Sequence, residues 1–584
     1  MFGKNAAWTS GDCQYEQVIR AASASHCVHG RANCSPGEGG TSLELAQRAA
    51  TLEAAHDPGC VDLYFAAAWR NWQCLATLGD LPANSDLLEQ SPAYNACLAK
   101  LLVTAQKFHR LDPNTGLCVF HEGQQLTIPV ELYGFAWSPE DFNQLELVGE
   151  YELSKGAKNT RTSGVGVPLV VVRRRSYDEQ FFRRIQPFAA TAVLRTRASS
   201  EVSQQASDSS AASSCEMVLE FYNPARCTHL YGANRRWALA GDLTAPLAWA
   251  KNLEPNDPLQ AYLRPDSENG AAQLVMLEPY QRGKIPIVFV HGLLSDPTTW
   301  VTFGNELTSQ PWFRQRYQVW VFRYPSGMPF LVSAATLRRE LNAALAASCA
   351  EDDPAAQQTV LVGHSMGGLV SKLQVTDAGN ELWDIVATRP MDEVKASDTD
   401  LQRMREVFFF APQPFIRHVI FIGTPHQGSS LARRGVGRIS SLLAQPTSEA
   451  DERHRRVVEA NPGVFRSTVA RRVPTSVDLL EPNNPLLLAM ERLTVGPCVQ
   501  LHTIAGVAKI KCVHGASDGV VPLSSATQAC VVSEKLVDAT HEELHEAATT
   551  LIEIERILQR QLFEIDHPRR SSVDTAVRRP ALRD

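Results

Sequence analysis

The stretch Thr359-Val360-Leu361-Val362-Gly363-His364-Ser365-Met366-Gly367-Gly368-Leu369-Val370 decides how this chain is read. β-Branched and apolar residues run into Gly-x-Ser-x-Gly, and an apolar segment of helical character follows. Strand, tight turn and helix in that order are the context in which the pattern puts a serine on a sharp, strained corner. Gly363 and Gly367 flank the corner because side chains there would collide with the neighbouring strand and helix. Ser365 is therefore expected to expose its hydroxyl, with the free N–H groups of a helix N-terminus behind it for a developing negative charge. The pattern also arises by chance, so its meaning rests on whether the rest of a hydrolytic site follows.

A nucleophilic serine needs a general base, an acid that orients the base, and donors for an oxyanion. In a strand–turn–helix setting the chain order is serine, acid, histidine. Asp518 is the expected acid, in Ser517-Asp518-Gly519-Val520-Val521-Pro522 just after a predicted strand. His541 is the expected base, after the strand-like run 530–537 and before the last helix. His545 is its rival, expected inside that helix. The N–H of Leu293, in Val290-His291-Gly292-Leu293-Leu294, and the N–H of Met366 are the expected oxyanion donors. His291 precedes the serine and reads as a loop-fixing residue.

With 584 residues, the chain has room for two or three domains. A composition of 44% apolar and 20% charged residues is that of a globular protein, and a net charge of −7 argues against a nucleic-acid partner. No apolar run approaches the roughly 18 residues that span a bilayer. The start, Met1 to Ser10, lacks an apolar h-region, which predicts no signal peptide and a cytoplasmic location by default; an upstream start would reopen export. Seven of the thirteen cysteines fall in the first 118 residues, with no Cys-x-x-Cys pair. His26-Cys27-x-His29 with Cys34 matches no common zinc spacing. Scattered thiols, or one or two bridges if the protein is exported, are expected instead.

Residues 1–40 read as loop or disorder. A helical module is expected over 41–123, where Leu43, Leu45, Ala46 and Ala49 share a face and Val61, Tyr64, Phe65, Ala68, Trp69 and Trp72 recur at three and four. A β-rich domain is expected over 124–283, with strands in Leu126–Tyr133, Pro168–Arg173, Ala192–Thr196 and Cys215–Tyr222 and a serine-rich surface loop at 199–214. Arg173, Arg174 and Arg175, with Arg183 and Arg184, read as a solvated face. Over 284–561 strands and helices alternate, which predicts an α/β domain with a mostly parallel sheet. The connections 377–414 and 430–497 are candidate lids, where Leu442-Leu443 and Leu486–Met490 read equally as lid or core. A disordered basic tail is expected over 562–584.

His291-Gly292-Leu293, Gly363-His364-Ser365-Met366-Gly367-Gly368, Gly423-Thr424-Pro425-His426-Gln427-Gly428-Ser429, Ser517–Pro522 and His541, in that order, resemble the α/β-hydrolase superfamily, in particular its lipase-like and inositol-deacylase-like branch. The resemblance covers about residues 284–561. It implies a doubly wound sheet and a serine hydrolase of carboxylic esters, of lipids or other apolar acyl groups, working through an acyl-enzyme. Ser365, Asp518 and His541 would be catalytic; His291, Gly292, Gly363, His364, Gly367 and His426 would support the elbow or line the pocket. Bacterial true lipases carry a calcium-site Asp two residues after the histidine. Glu543 stands at that offset here, so no calcium, metal or other cofactor is expected. A small-molecule or lipid ester is the expected partner, with contact to a lipid surface. An acyltransferase or thioesterase would use the same residues. A non-catalytic binding protein on a hydrolase fold is disfavoured because every catalytic piece is present. The N-terminal region remains a candidate docking module.

Overall fold

The computed structural model describes residues 41–77, 86–151, 160–176, 179–198, 215–232, 235–253, 272–295, 297–429, 448–508 and 515–568. The stretches 1–40, 199–214 and Leu442-Leu443 lie outside the described residues, as does most of the expected tail; its first residues, 562–566, are not disordered but the end of the last helix, where Leu562 is buried in the core.

Helices Ser42–Ala54, Cys60–Thr77 and Asp86–Lys107 come first. A capping box starts the first: Thr41 Oγ1 accepts the Glu44 N–H, and the Glu44 carboxylate accepts the Thr41 N–H. Leu45, Ala46 and Ala49 are buried against Val61, Tyr64, Phe65, Ala68 and Trp72, so the apolar spacing becomes one stripe per helix. Strands then begin earlier than the expected change at 124. β1 (Leu111–Asp112), β2 (Gly116–His121) and β3 (Gln124–Ile128) form a meander. The run Leu126–Tyr133 is two strands rather than one. Pro129 has no N–H for a ladder, so β3 ends there and β4 (Val130–Tyr133) joins another sheet.

That sheet adds β5 (Gln144–Leu147), β6 (Val167–Arg174), β7 (Ile185–Ala198) and β8 (Cys215–Tyr222), in the order β4-β8-β7-β6-β5. Leu194, Leu219 and Phe221 pack into the core that holds Tyr94 and Trp72 of the helices. The reading of the arginine cluster as a solvated face fails at Arg173, which is buried. Its guanidinium pairs with Asp141 and Glu179 and lies 4.6 Å from the Trp137 ring centroid. Two carboxylates and an aromatic face replace the water it gives up.

A hairpin of β9 (His229–Gly232) and β10 (Arg235–Ala238) leads to the large sheet. Its strands are β11 (Gln273–Met276), β12 (Ile285–Val290), β13 (Tyr317–Arg323), β14 (Thr359–His364), β16 (Ile416–Ile422), β18 (Gln500–Gly506) and β19 (Ser533–Val537). The order is β11-β13-β12-β14-β16-β18-β19, and only β11 runs antiparallel. Helices Phe330–Ala347 and Ala548–Asp566 pack into different apolar clusters, and β12 contributes alternate residues to both: Val288 and Val290 to one, Ile287 and Phe289 to the other.

The two long connections pack on each other. Short strands β15 (Thr376–Asp377) and β17 (Thr494–Val495) pair their ends. Trp383, Ala387, Met391 and Val394 bury Val464, and Asn461 exchanges two hydrogen bonds with the Lys395 backbone. Leu486, Leu487, Ala489 and Met490 lie in the main core, so this tract is core. Among the described residues no helix is long and apolar enough to cross a membrane.

The outer edge of β11 is covered from the β-rich half. Met276 N–H donates to Phe181 O at 2.8 Å, and Gln186 Nε2 donates to Met276 O at 3.2 Å. The Phe181 ring enters the core beside Leu274, Met276 and Trp320. An open edge strand is a template for aggregation, and this contact closes it. Toward the amino end of the sheet, His418 and His502 stack with planes 8° apart. His418 Nδ1 lies 3.1 Å from His502 Nε2, and His502 Nδ1 lies 2.8 Å from Ser533 Oγ. Burial pushes His418 down to about 4 and His502 to about 3.

Two outcomes follow from these contacts. Phe181→Ala is expected to destabilise the chain by about 3 kcal/mol in urea unfolding, since it empties a buried site between two halves. As the pH falls, the unfolded chain protonates His418 and His502 first, because their folded values are depressed. Their contribution to stability is thus complete above about pH 6.5 and is lost progressively down to about pH 4 for His418 and about pH 3 for His502. Urea midpoints measured across that window should decline, and the decline should be shallower in His418→Gln.

Candidate active site

β14 lies between β12 and β16, with Val290 opposite Gly363 and Ile422 opposite His364. Ser365 follows at the carboxyl end of the sheet, where sites of parallel sheets gather. Its backbone is left-handed, φ 53 and ψ −125, and its N–H donates to Ile422 O at 2.8 Å. The helix Met366–Lys372 starts at once. A Cβ on Gly363 would come within 2.5 Å of Gly367 O, and one on Gly367 would strike the carbonyls of Val290 and His291. Only glycine lets the helix lie this close to the strands.

Ser365 Oγ is 2.9 Å from His541 Nε2, and His541 Nδ1 is 2.7 Å from Asp518 Oδ2. A carboxylate only accepts, so the imidazole proton belongs on Nδ1 and Nε2 is left to accept from the serine hydroxyl. The other oxygen, Asp518 Oδ1, accepts the N–H groups of Val520 (2.9 Å) and Val521 (2.7 Å). His541 N–H donates to Asp518 O at 2.9 Å, which ties the two loops together. All three side chains are buried. Among the described residues the N–H groups of Leu293 and Met366 have no hydrogen-bond partner. A Cβ on Gly292 would lie 2.9 Å from Ser365 Cβ, which is how closely the Leu293 loop passes the serine.

His545 is not inside a helix. The last helix begins at Ala548, because 540–546 are closed by turns such as Glu543 N–H to Thr540 O and Glu546 N–H to Glu543 O. The His545 ring packs 4.7 Å from His364 and 5.9 Å from Trp300, and burial pushes it down to about 4. His364 Nε2 donates to His541 O at 3.1 Å; burial, then the neighbouring imidazoles, hold His364 well below the usual range. Both rings are therefore neutral around His541 at physiological pH.

His291 is fully buried and stacked on Tyr324 at 4.3 Å, and the Tyr324 hydroxyl donates to His291 O at 2.7 Å. His426 is also buried, with Nε2 accepting from Gln528 Nε2 at 2.7 Å; burial, then Lys372, hold it low. Gln528 Oε1 accepts in turn from Lys372 Nζ, whose burial pushes it down to about 8. Sequence reasoning missed Tyr324, Gln528 and Lys372. Tyr324 had one available signal, its place directly after a parallel strand. Lys372 and Gln528 sit in no motif.

Among the described residues no three His, Cys, Asp or Glu side chains are arranged to hold a metal. The His26-Cys27-x-His29 group lies outside them. Cys60, Cys97, Cys118, Cys227, Cys349, Cys498 and Cys530 are free thiols, and Cys74 is disulfide-bonded.

The sequence profile described as the alpha/beta hydrolase family matches residues 287–547. No curated protein matches the chain. Among solved structures, the chain is similar to the mature lipase BlEst2 of Bacillus licheniformis, at 16% identity and a TM-score of 0.31 over 50% of this chain and 99% of that one. It is similar to phospholipase PlaB of Legionella pneumophila at 16% identity and a TM-score of 0.30, over 49% and 63% of the two chains. It is also similar to the esterase Est2 of Thermogutta terrifontis at 12% identity and a TM-score of 0.27, over 52% and 89%. With its mostly parallel seven-stranded sheet and the profile match over residues 287–547, that part of the chain is a domain of the α/β-hydrolase fold.

Proposed function

We propose that this protein is a serine hydrolase of carboxylic esters, with Ser365 as nucleophile, His541 as base and Asp518 as the acid that orients it. The observation that carries the reading is the unbroken chain from Ser365 Oγ through His541 to Asp518, beside two N–H groups that have no partner among the described residues. In the reaction, Ser365 Oγ attacks the acyl carbon and its proton passes to His541 Nε2. Asp518 stabilises the imidazolium and keeps Nδ1 protonated. The N–H groups of Leu293 and Met366 receive the oxyanion, each such donor being worth about 10²–10³ in rate. His541 then gives its proton to the leaving alcohol. Water, deprotonated by the same histidine, adds to the acyl-enzyme and releases the acid and the free serine. The apolar acyl group, as in a lipid ester, rests on the resemblance of the Gly423–Ser429 and Gly363–Gly368 motifs to lipase-like relatives.

The test is hydrolysis of nitrophenyl esters from acetate to palmitate. Ser365→Ala is expected to lower kcat by at least about 10⁴-fold, and Asp518→Asn by about 10³–10⁴-fold with the fold intact. A rate that rises with chain length supports a lipid ester; a rate that peaks at acetate or butyrate sinks that part of the proposal. A folded wild type with no hydrolysis and no fluorophosphonate labelling of Ser365 would sink the whole reading.

A further inference from the structure

We infer that Ser326 and Tyr324 are positioning residues for the oxyanion hole, an assignment that rests on ester hydrolysis at Ser365. The loop that carries the Leu293 N–H is held at both sides of that residue by the segment after β13. On one side, the Tyr324 hydroxyl donates to His291 O at 2.7 Å, the Tyr324 N–H donates to His291 Nε2 at 3.3 Å, and the two rings stack. On the other side, the Leu294 N–H donates to Ser326 Oγ at 3.0 Å.

Leu294 needs such a hold. Its φ is 53, a left-handed conformation that a branched side chain rarely adopts and that persists where surroundings enforce it. The twist at Leu294 turns the chain after Leu293, whose own N–H has no partner among the described residues. Ser326 is 3% exposed, so no bulk water stands by to replace its Oγ. Without that acceptor the Leu294 N–H has no partner, and the adjoining peptides are free to rotate away from Ser365. An oxyanion donor works because its direction is set before the charge develops. Loss of direction therefore lowers the rate of the chemical step and leaves ground-state binding nearly as it was.

The clamp is itself braced. Met328 N–H donates to Pro325 O at 3.2 Å, closing a turn around Ser326. The Ser476 hydroxyl donates to Met328 O, and the Ser476 N–H reaches Gly327 O, so the second connection supports the turn from outside. Neither Ser326 nor Tyr324 has a hydrogen bond to Ser365, His541 or Asp518. Their effect reaches the reacting atoms through the loop.

The experiment uses the full chain and nitrophenyl butyrate. Ser326→Ala and Tyr324→Phe are each expected to lower kcat by about tenfold, a fraction of one donor's worth, with KM within about twofold. Binding of a boronic acid, which forms a tetrahedral adduct on the serine, should weaken by the same factor as kcat. Ser326→Thr keeps an oxygen for the Leu294 N–H and should restore most of the rate. Tyr324→Phe keeps the buried ring and covers the case in which Ser326→Ala does not fold. An active wild type whose Ser326→Ala and Tyr324→Phe forms keep full kcat and full boronate affinity overturns this inference alone. So does a loss that Ser326→Thr shares in proportion to a lower unfolding midpoint. A wild type without esterase activity overturns the enzymatic reading together with it.

Discussion

The left-handed backbone of Ser365 is the constraint from which the site takes its shape. A residue at φ 53 directly after a buried parallel strand turns the chain sharply enough to start a helix at once. The turn is tolerable because the strands beside it are already in place. Ile422 O receives the Ser365 N–H, and Gly363 and Gly367 allow the helix to press on the carbonyls of Val290 and His291. Strand register and corner are thus one arrangement. A slip of β14 against β12 or β16 would move Ser365 away from the loops that follow Val290 and Ile422.

The same sheet treats its histidines in two ways. His418 and His502, toward the amino ends of their strands, are stacked, bonded to each other and kept neutral by burial. At the carboxyl end His541 is gripped on both nitrogens, by a serine and by a carboxylate. Its neighbours His364 and His545 are pushed low by burial and contribute packing and one backbone bond, not charge. Imidazole chemistry is therefore set by partner and depth. An apolar, dry surround makes an imidazole a structural piece; an anionic partner on Nδ1 gives it a defined tautomer.

The first half of the chain is bound to the large sheet by backbone as well as by side chains. Phe181 supplies a carbonyl to the exposed edge of β11 and a ring to the core behind it. Gln186 adds a further bond to the same strand. Such a contact closes an edge that would otherwise pair with another chain. Its cost in polar groups is small, since each bond replaces one to water.

Local chemistry by itself determined a good deal. The apolar periodicity of 41–107, the buried runs Ile285–Val290 and Thr359–Val362, and the turn glycines around Ser365 depend on neighbours within a few residues, so they are legible in one dimension. The order of Ser365, Asp518 and His541 suggested a constellation, and the distances among their side chains are a property of the fold. Tertiary structure decided what depends on residues far apart in the chain. Arg173 became a buried ion, Pro129 divided one expected strand between two sheets, and His545 stayed outside the helix. Tyr324 and Ser326 came to brace a loop 33 and 32 residues before them. No local rule finds such partners, because burial and hydrogen bonding are decided by whatever the rest of the chain brings to the same place.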